Sequence, residues 1–145
     1  MILTDTDDLI KRCRDAGMRS TKLLRAALEL LSQTDSPVSI QQCTEMSEEL
    51  GACDQVTIYR LFERLEKVGI ARRIGLHERA AHFILTDSFH HRHFVCCTSC
   101  GSVRALTDHC TLGHMEEHIA EETGYQKLYH ELVFYGVCPK CSDAA

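Results

Sequence analysis

The hydrophobic period changes halfway along residues 54–85, DQVTIYRLFERLEKVGIARRIGLHERAAHFIL. The first half begins with Asp54, a favourable helix cap, and carries apolar residues at helical spacing up to Gly69. The second half has two short extended runs around a turn at residues 75–80, which predicts a β-hairpin. The buried stripe of the helix is expected to contain Val56, Tyr59 or Leu61, Phe62, Leu65 and Val68.

Three more helices precede this stretch. Caps, apolar spacing and terminal glycines place them at residues 5–15, 21–32 and 39–51. The last of the three opens with a capping-box pattern formed by Ser39 and Gln42. Because helices followed by a hairpin form a winged helix-turn-helix, we expect such a domain over residues 1–86.

The residues after this domain predict a smaller α/β unit. The stretch TDSF, residues 86–89, is expected to be a hinge. The elements beyond it are predicted as strands at 93–97 and 102–106, a helix at 112–123 and a last strand at 127–137. The chain is therefore expected to have an α+β fold, with one domain over residues 1–86 and a second over 87–145.

The composition is that of an ordinary globular protein. Of the 145 residues, 26% are charged and 44% are hydrophobic. No apolar run approaches the roughly 20 residues of a membrane span, and the acidic start MILTDTDDL is unlike a signal peptide. We therefore expect a cytoplasmic protein with no membrane partner and with reduced cysteines. The segment after residue 86 holds 7 of the 9 histidines and 6 of the 9 cysteines, so potential metal ligands are concentrated there.

Two C-x-x-C pairs are the strongest local signal. Cys97 and Cys100 form the first pair, and Cys138 and Cys141 form the second. Four thiolates at this spacing can surround a Zn²⁺ ion tetrahedrally. A closed site of this kind is structural, because it leaves no position for a substrate. Two unrelated pairs of reduced cysteines are the alternative interpretation.

Histidines cluster just before the first pair. On an extended segment, His91 and His93 project to one face and His90 projects to the other. His82, on the preceding strand, can share the face of His91 and His93. A solvated polar run is the alternative interpretation. Further potential ligands downstream are His109, Cys110, His114, Glu117, His118 and His130.

Residues 57–60, TIYR, lie at the start of the helix that Asp54 caps. A helix N-terminus favours phosphate contact, and Tyr59 and Arg60 can reach bases or backbone in a major groove. An ordinary surface helix is the alternative. The formal net charge of −5 argues against indiscriminate nucleic-acid binding but leaves room for a local basic face. The flanking cations are Arg12, Arg19, Lys22, Arg25, Arg64, Arg72, Arg73 and Arg79.

Four stretches together resemble the ferric uptake regulator (Fur) family. They are GMRSTKLLRAALELL, VTIYRLFERLEKVGI, HHRHFVCCTSCG and LYHELVFYGVCPKC, and they occur in the order and approximate spacing of that family. The resemblance extends from about Asp8 to Cys141. It implies a homodimeric, metal-responsive transcription factor with a winged-helix DNA-binding domain, a hinge and an α/β dimerisation domain.

The resemblance also implies roles for individual residues. It places Thr57, Tyr59 and Arg60 on a recognition helix, with Tyr59 in contact with DNA, and we add Arg19 and Arg64 as backbone contacts. The structural zinc ligands that it implies are Cys97, Cys100, Cys138 and Cys141. The regulatory ligands that it implies at the hinge are His91 and His93. An additional site is implied by His90 and His130, to which we add His114.

The usual regulatory ligands of the family are incomplete in this chain. A histidine of the family corresponds to Pro37, and two acidic ligands correspond to Ile84 and Ala105. The replacement set is expected to be His82, His91 and His93, completed by Cys110 or His109. Such a set is rich in nitrogen and can contain sulfur, so it suits Zn²⁺ better than Fe²⁺. Cys96, an extra residue before the first cysteine pair, has no assigned role.

The expected function is metal-dependent DNA binding that regulates transcription, with zinc as the signal and repression as the outcome. Bound metal would favour an arrangement in which both recognition helices of the homodimer fit successive major grooves of a palindromic operator. The alternatives are an iron-sensing regulator of the same type and a zinc-stabilised protein-interaction module without DNA binding. An enzyme is not expected. The zinc-deaminase signature needs H-x-E and P-C-x-x-C, whereas His77 and Glu78 are adjacent and Cys138 precedes Pro139.

Overall fold

The computed structural model describes residues 4–34, 36–75, 81–89, 93–106 and 110–143. Its helices are α1 (Thr6–Asp15), α2 (Lys22–Gln33), α3 (Ile40–Met46), α4 (Glu48–Gly51), α5 (Gln55–Lys67), α6 (Thr86–Phe89), α7 (Gly113–Thr123) and α8 (Pro139–Asp143). Its strands are β1 (Val38–Ser39), β2 (Ala71–Ile74), β3 (His82–Leu85), β4 (His93–Cys97), β5 (Val103–Leu106) and β6 (Val133–Gly136). No helix within these ranges is long and apolar enough to cross a membrane.

The first two helices begin at caps. The Asp5 carboxylate accepts a hydrogen bond from the Asp7 N–H at 3.2 Å. The Thr21 hydroxyl accepts one from the Leu24 N–H at 3.1 Å. Both bonds satisfy backbone donors that the start of a helix leaves without intrahelical partners. The helices predicted over residues 5–15 and 21–32 are thus confirmed as α1 and α2.

The third predicted helix is two helices in the structure. Ser39 and Gln42 form the predicted capping box at the start of α3, with bonds of 2.9 and 3.1 Å. Ser47 then leaves the helical conformation, at φ −126° and ψ 125°, and its hydroxyl accepts a hydrogen bond from the Leu50 N–H. The single helix predicted over residues 39–51 is therefore wrong, because Ser47 ends α3 and caps α4.

The helix predicted from Asp54 is α5. The Asp54 carboxylate accepts a backbone N–H at 2.7 Å and so caps the helix. Ile58, Phe62 and Leu65 form its buried face, whereas Val56 is 59% exposed. The prediction that Val56 belongs to the buried stripe is wrong, because the stripe runs from Ile58 through the positions four and seven residues later.

A three-stranded antiparallel sheet confirms the predicted hairpin. Its order is β1, β3, β2, and β1 is a two-residue strand that the sequence pattern did not predict. The residues of the turn after Gly75 lie outside the described residues up to Ala81. Phe83 of β3 packs on Phe62 of α5 with ring centroids 5.0 Å apart. Helices and sheet thus share one core, as a winged helix-turn-helix requires.

Residues 86–89, predicted as a hinge, form the single-turn helix α6. Arg12 of α1 donates a hydrogen bond to Asp87 at 2.7 Å. The Thr86 N–H donates to the carbonyl oxygen of Ile70 at 2.9 Å. The segment is therefore a helical turn held by α1 and the start of the hairpin, and the domain boundary expected there stays a prediction.

A second sheet is built around β4. Its order is β5, β4, β6, with β5 antiparallel and β6 parallel to β4. The helix α7 connects β5 to β6 and ends at Gly124 with φ +77°, which confirms the predicted helix end. The last strand, Val133–Gly136, is shorter than the predicted 127–137. At the predicted start, Lys127 has a positive φ of 55° that extended backbone does not adopt. The short helix α8 that follows β6 was not predicted.

A small core joins the two sheets. It contains Ile74 of β2, Ile84 of β3, and Phe94 and Cys96 of β4, each at most 4% exposed. Successive side chains of a strand point to opposite faces, so Cys96 faces this core and Cys97 faces away from it. Burial raises the pKa of the Cys96 thiol. Cys96 and Ile84 therefore serve packing, which explains why an apolar side chain stands at position 84.

Candidate metal centres and nucleic-acid interface

The two C-x-x-C pairs converge in the structure, with all four sulfur atoms within 4.8 Å of one another: Cys97, Cys100, Cys138 and Cys141. Cys97 ends β4 and pairs with Gly136 of the parallel strand β6, which brings Cys138 beside the first pair. The Sγ atoms of Cys100 and Cys138 are 3.9 Å apart. Around a tetrahedral zinc with Zn–S bonds of about 2.3 Å, neighbouring sulfurs are about 3.8 Å apart. The geometry therefore fits a closed four-thiolate site.

Backbone N–H groups stabilise negative charge on the first of these sulfurs. Those of Ser99, Cys100 and Cys138 lie 3.3–3.4 Å from Cys97 Sγ. The N–H groups of Cys100 and Cys138 lower the pKa of Cys97 to about 6. The neighbouring sulfurs of Cys138 and Cys100 instead raise the pKa of Cys141 to about 12. Four thiols this close together do not all ionise at neutral pH by themselves, and a divalent cation would stabilise all four as thiolates.

A second group of potential ligands lies at the other end of β4. His93, Cys110 and His130 have ligand atoms within 4.8 Å of one another. Cys110 Sγ is 3.1 Å from His130 Nε2, and the two imidazole rings have centroids 5.8 Å apart. The Nε2 atom of His93 is buried and has no hydrogen-bond partner among the described residues. A buried polar atom without a partner is costly, and a metal ion bound by these three side chains would remove that cost.

Glu116 of α7 contacts one of these potential ligands. Its Oε1 atom is 2.6 Å from His130 Nδ1, and the two side chains are only 28% and 23% exposed. With its proton on Nδ1, the ring donates to the carboxylate and directs the lone pair of Nε2 toward Cys110. A carboxylate behind a histidine ligand is a common arrangement around protein-bound zinc. Glu116 was not among the residues that the sequence pattern singled out.

The parallel pairing of β4 and β6 explains why these side chains meet. Phe94 pairs with Val133, and its N–H donates to the Leu132 carbonyl at 3.2 Å. His93 and His130 therefore lie at the same end of the sheet. The sequence assigned them to two different sites, since no local pattern reveals the pairing of strands so far apart in the chain. Two nitrogens and one sulfur suit Zn²⁺, which commonly takes three protein ligands and keeps a fourth position.

The other predicted ligands do not join this group among the described residues. His82 opens β3 and lines a cleft of about 710 Å³ together with Tyr59 and Cys100. Within the described part of the chain, it belongs to no group of three potential ligands. His114 on α7 has a side chain that is 99% exposed. The remaining ones, His90, His91 and His109, lie outside the described residues.

The start of α5 presents the side chains that are expected to contact DNA. Thr57 and Arg60 are exposed, and Tyr59 is partly buried. Arg64, one turn further along, and Arg19, between α1 and α2, are exposed as well. In the described part of the chain, Arg19, Arg60 and Arg64 form no ion pair with a carboxylate. Their charges are therefore available to phosphate groups.

Four other arginines that the sequence suggested as phosphate contacts are engaged within the protein. Their ion pairs are Arg12 with Asp87 at 2.7 Å, Arg25 with Asp7 at 3.0 Å, Arg72 with Glu131, and Arg73 with Glu66 at 2.9 Å. Arg79 lies outside the described residues. The arginines thus form two groups: those paired with carboxylates within the protein, and those whose charge is available to a partner. The second group includes Arg60 and Arg64 of α5.

Known proteins resemble this chain in sequence and in architecture. Residues 15–135 match the model of the ferric uptake regulator family. The ferric uptake regulation protein of Neisseria meningitidis serogroup A is 30% identical over 134 residues, 91% of this chain and 92% of that protein.

Two solved structures have the same fold. The ferric uptake regulator of Helicobacter pylori, described as having three functional metal binding sites, superposes with a TM-score of 0.71 at 14% identity, covering 97% of this chain and 95% of that one. The regulator of Vibrio cholerae superposes with a TM-score of 0.67 at 26% identity, covering 88% of this chain and 98% of that one. The predicted fold class is thereby confirmed. This chain belongs to the ferric uptake regulator family, and it is a metal-responsive transcription regulator rather than an enzyme.

Proposed function

We propose that this regulator is a homodimeric repressor that binds a palindromic operator when zinc is bound by His93, Cys110 and His130. In this proposal a structural zinc is held by Cys97, Cys100, Cys138 and Cys141. The operator is contacted by Thr57, Tyr59 and Arg60, with Arg19 and Arg64 on phosphates. The expected location is the cytoplasm, because the ligand is DNA.

One observation carries the choice of regulatory site. The buried Nε2 atom of His93 has no hydrogen-bond partner among the described residues, and a ring nitrogen of His93 lies within 4.8 Å of ligand atoms of Cys110 and His130. A structural histidine would be expected to satisfy that atom with a neighbouring donor or acceptor. A metal ligand instead needs the lone pair of the atom to remain available.

The chemistry of the donors favours zinc over iron. A thiolate with two imidazoles is a borderline-soft set that suits Zn²⁺, whereas iron regulation is expected to use more oxygen ligands. Iron remains the second candidate, because the relative from Neisseria meningitidis is a ferric uptake regulation protein. Family membership argues against the third interpretation, an interaction module without DNA binding.

Arg72 connects the proposed site to strand β2 of the hairpin. It lies on β2, and its guanidinium pairs with Glu131 and lies 5.3 Å from the ring centroid of Tyr129. Glu131 and Tyr129 are the two chain neighbours of His130. Ordering of His130 would thus restrict both partners of Arg72 and favour one placement of β2 and α5 relative to β4. Zinc then shifts the population toward the DNA-binding arrangement by the difference in its affinity for the two arrangements.

An apolar surface supports the homodimer. Phe134 and Tyr135 of β6 are 50% and 54% exposed, and Val137 after them is 56% exposed. Met115 and Ile119 of α7 are 56% and 38% exposed. The strand β6 is also an edge of its sheet. An exposed edge with large apolar side chains is typical of a surface that another chain covers.

The test is a titration of DNA binding against free metal. The duplex is selected from a random pool with the zinc-loaded wild-type protein. Binding should rise with free Zn²⁺ and disappear with a chelator. His93→Ala should lose about one zinc per chain and weaken zinc-dependent binding by at least about tenfold, since even residues behind metal ligands change affinity by about 10- to 100-fold.

His118→Ala is the matched control, because this histidine of α7 is 76% exposed and lies outside the proposed site. It should keep wild-type zinc content and DNA binding. If His93→Ala has wild-type zinc content and metal-dependent binding, the regulatory role of His93 is refuted. Binding that responds to Fe²⁺ under anaerobic conditions but not to Zn²⁺ would favour the iron-sensing alternative.

A further inference from the structure

Arg73 of β2 is held against the proposed recognition helix by three groups. Its Nη1 atom donates to the Tyr59 hydroxyl at 2.9 Å, and its Nε atom donates to Glu66 at 2.9 Å. Its guanidinium carbon lies 5.3 Å from the ring centroids of both Tyr59 and Phe83. The Arg73 side chain is 26% exposed. A planar guanidinium with several donors in fixed directions can make all of these contacts together, which a lysine ammonium cannot.

Neighbouring elements fix this position of Arg73. Arg73 stands opposite Phe83 in the antiparallel pairing of β2 and β3, and Phe83 packs on Phe62 of α5. Tyr59 and Glu66 are seven residues apart on α5 and therefore share one face of that helix. The Tyr59 hydroxyl and the Glu66 carboxylate reach Arg73 from this face. Rotation of Tyr59 away from this position would break a hydrogen bond to a cation and a cation–π contact.

The donor from Arg73 determines how the Tyr59 hydroxyl can interact with a partner. A phenol has one O–H donor and accepts hydrogen bonds at its oxygen. Because Arg73 donates to that oxygen, the O–H hydrogen points elsewhere and is free to donate. The adjacent positive charge makes this O–H a stronger donor and discourages a second cation or N–H donor from approaching.

We propose that Arg73 is a positioning residue that commits Tyr59 to donating a hydrogen bond to a phosphate oxygen of DNA. The proposal rests on the proposed function, in which Tyr59 contacts the operator. Phosphate is the favoured acceptor, because exposed arginines lie on the same helix as Tyr59. Arg60 and Arg64 lie exposed on the same helix without ion pairs to described residues, and they would attract the same backbone. In this arrangement Arg73 acts through Tyr59 rather than by contacting DNA itself, because its Nε and Nη1 donors are bonded to Glu66 and Tyr59 and its Nη2 atom is 4.0 Å from Glu63.

The experiment measures dissociation constants of the zinc-loaded, full-length protein by fluorescence anisotropy over a range of salt concentrations. The DNA is the selected duplex and a scrambled version of it. The variants are Tyr59→Phe, Arg73→Gln, Arg73→Lys, Glu66→Gln and the double variant Tyr59→Phe with Arg73→Gln. Arg104→Gln is the control for loss of one exposed positive charge. Circular dichroism verifies that each variant is folded.

Tyr59→Phe and Arg73→Gln should each weaken binding about tenfold, the factor that corresponds to one hydrogen bond of about 1.4 kcal/mol. The double variant should be no weaker than the single ones, since both remove the same contact. The salt dependence of Arg73→Gln should equal that of wild type, because no phosphate contact of Arg73 itself is lost. Arg73→Lys should resemble Arg73→Gln, although it keeps the charge.

The Glu66→Gln variant is the most decisive one, because two effects on DNA affinity have opposite signs. Removal of a negative charge near DNA ordinarily strengthens binding, whereas loosening Arg73 should weaken it. Stronger binding by Glu66→Gln would therefore overturn the proposal, and so would additive losses in the double variant. A smaller salt slope for Arg73→Gln would show instead that Arg73 contacts phosphate directly.

Three further results distinguish a phosphate contact from a base contact, and failure of this inference from failure of the proposed function. If Tyr59→Phe weakens binding to the selected and scrambled duplexes by the same factor, a phosphate acceptor is supported. Weaker binding to the selected duplex alone would overturn the proposal and indicate a base as the acceptor. If the wild-type protein binds no duplex with any metal tested, the proposed function fails together with this inference. If wild type binds normally and Tyr59→Phe binds equally well, only this inference fails.

Discussion

Glu116→Gln should weaken zinc binding at the site of His93, Cys110 and His130 without removing a ligand. The Glu116 carboxylate is 2.6 Å from His130 Nδ1, and both side chains are largely shielded from water, so the contact is a short, charge-assisted hydrogen bond. A glutamine has nearly the same size, but it is neutral, and it can present its NH₂ group to the ring. It would then stabilise the tautomer whose proton is on Nε2, the atom that must bind metal.

The expected loss of zinc affinity follows from the position of Glu116 behind His130. A group that orients a histidine ligand typically changes metal affinity by about 10- to 100-fold. At about 1.4 kcal/mol for each factor of ten, this corresponds to about 1.4–2.8 kcal/mol of binding free energy. The ring of His130 also contacts Cys110 at 3.1 Å, so a flipped tautomer would place an N–H where the lone pair is needed. We therefore expect an effect toward the upper end of this range.

The assay is a competition titration of zinc against a chromophoric chelator, with the four-cysteine site filled first. Cobalt substitution gives a second measurement, because the thiolate-to-cobalt absorption reports whether Cys110 still coordinates. Glu117→Gln is the matched control, since Glu117 is the next residue of α7 and its side chain is 78% exposed. Equal zinc affinity of Glu116→Gln and wild type would refute the reasoning, and so would an equal loss in Glu117→Gln.

Three other predictions test separate parts of the molecule. Cys138→Ser should lose about one zinc per chain and lower the melting temperature, as measured by elemental analysis and calorimetry, whereas Cys53→Ser, outside the four-cysteine group, should keep the zinc content of wild type. Cys96→Ser should lower the free energy of unfolding by about 1–3 kcal/mol in urea, because it buries a hydroxyl in an apolar core, while zinc content stays unchanged; a lost zinc would show that Cys96 is a ligand. Phe134→Glu should shift the protein from dimer to monomer in analytical ultracentrifugation, because it places a charge on the exposed face of β6, and an unchanged sedimentation coefficient would exclude this face from the interface.

Local chemistry made most of the elements predictable. The caps at Asp5, Thr21, Ser39 and Asp54 are side-chain oxygens that accept backbone N–H groups, and such patterns can be read without knowledge of the fold. The change from helical to alternating apolar spacing after Gly69 predicted the hairpin in the same way. Ser47 shows what local patterns alone do not predict. A serine within a helical pattern is compatible with continuation or interruption, and only packing on both sides selects the break.

The two candidate metal centres differ in predictability for a physical reason. In each C-x-x-C pair, two ligands are three residues apart, so the spacing alone brings half of the site together. His93, Cys110 and His130 instead meet through parallel pairing of β4 with β6 and through the placement of α7. Those contacts depend on the whole second sheet. The sequence therefore identified His93 and Cys110 as potential ligands but placed His130 in another site and omitted Glu116.

The order of these contacts along the chain has a consequence for biosynthesis. The described residues of the main helical core all lie between Leu9 and Leu85, so they have been synthesised before β4 begins. The partners of β4 come much later, and Cys141 follows Leu85 by 56 residues. At about 5–20 residues per second, this interval lasts about 3–11 s. During it, a nascent chain can fold the core between Leu9 and Leu85 before either candidate metal centre is complete, so we expect newly made protein to bind metal last.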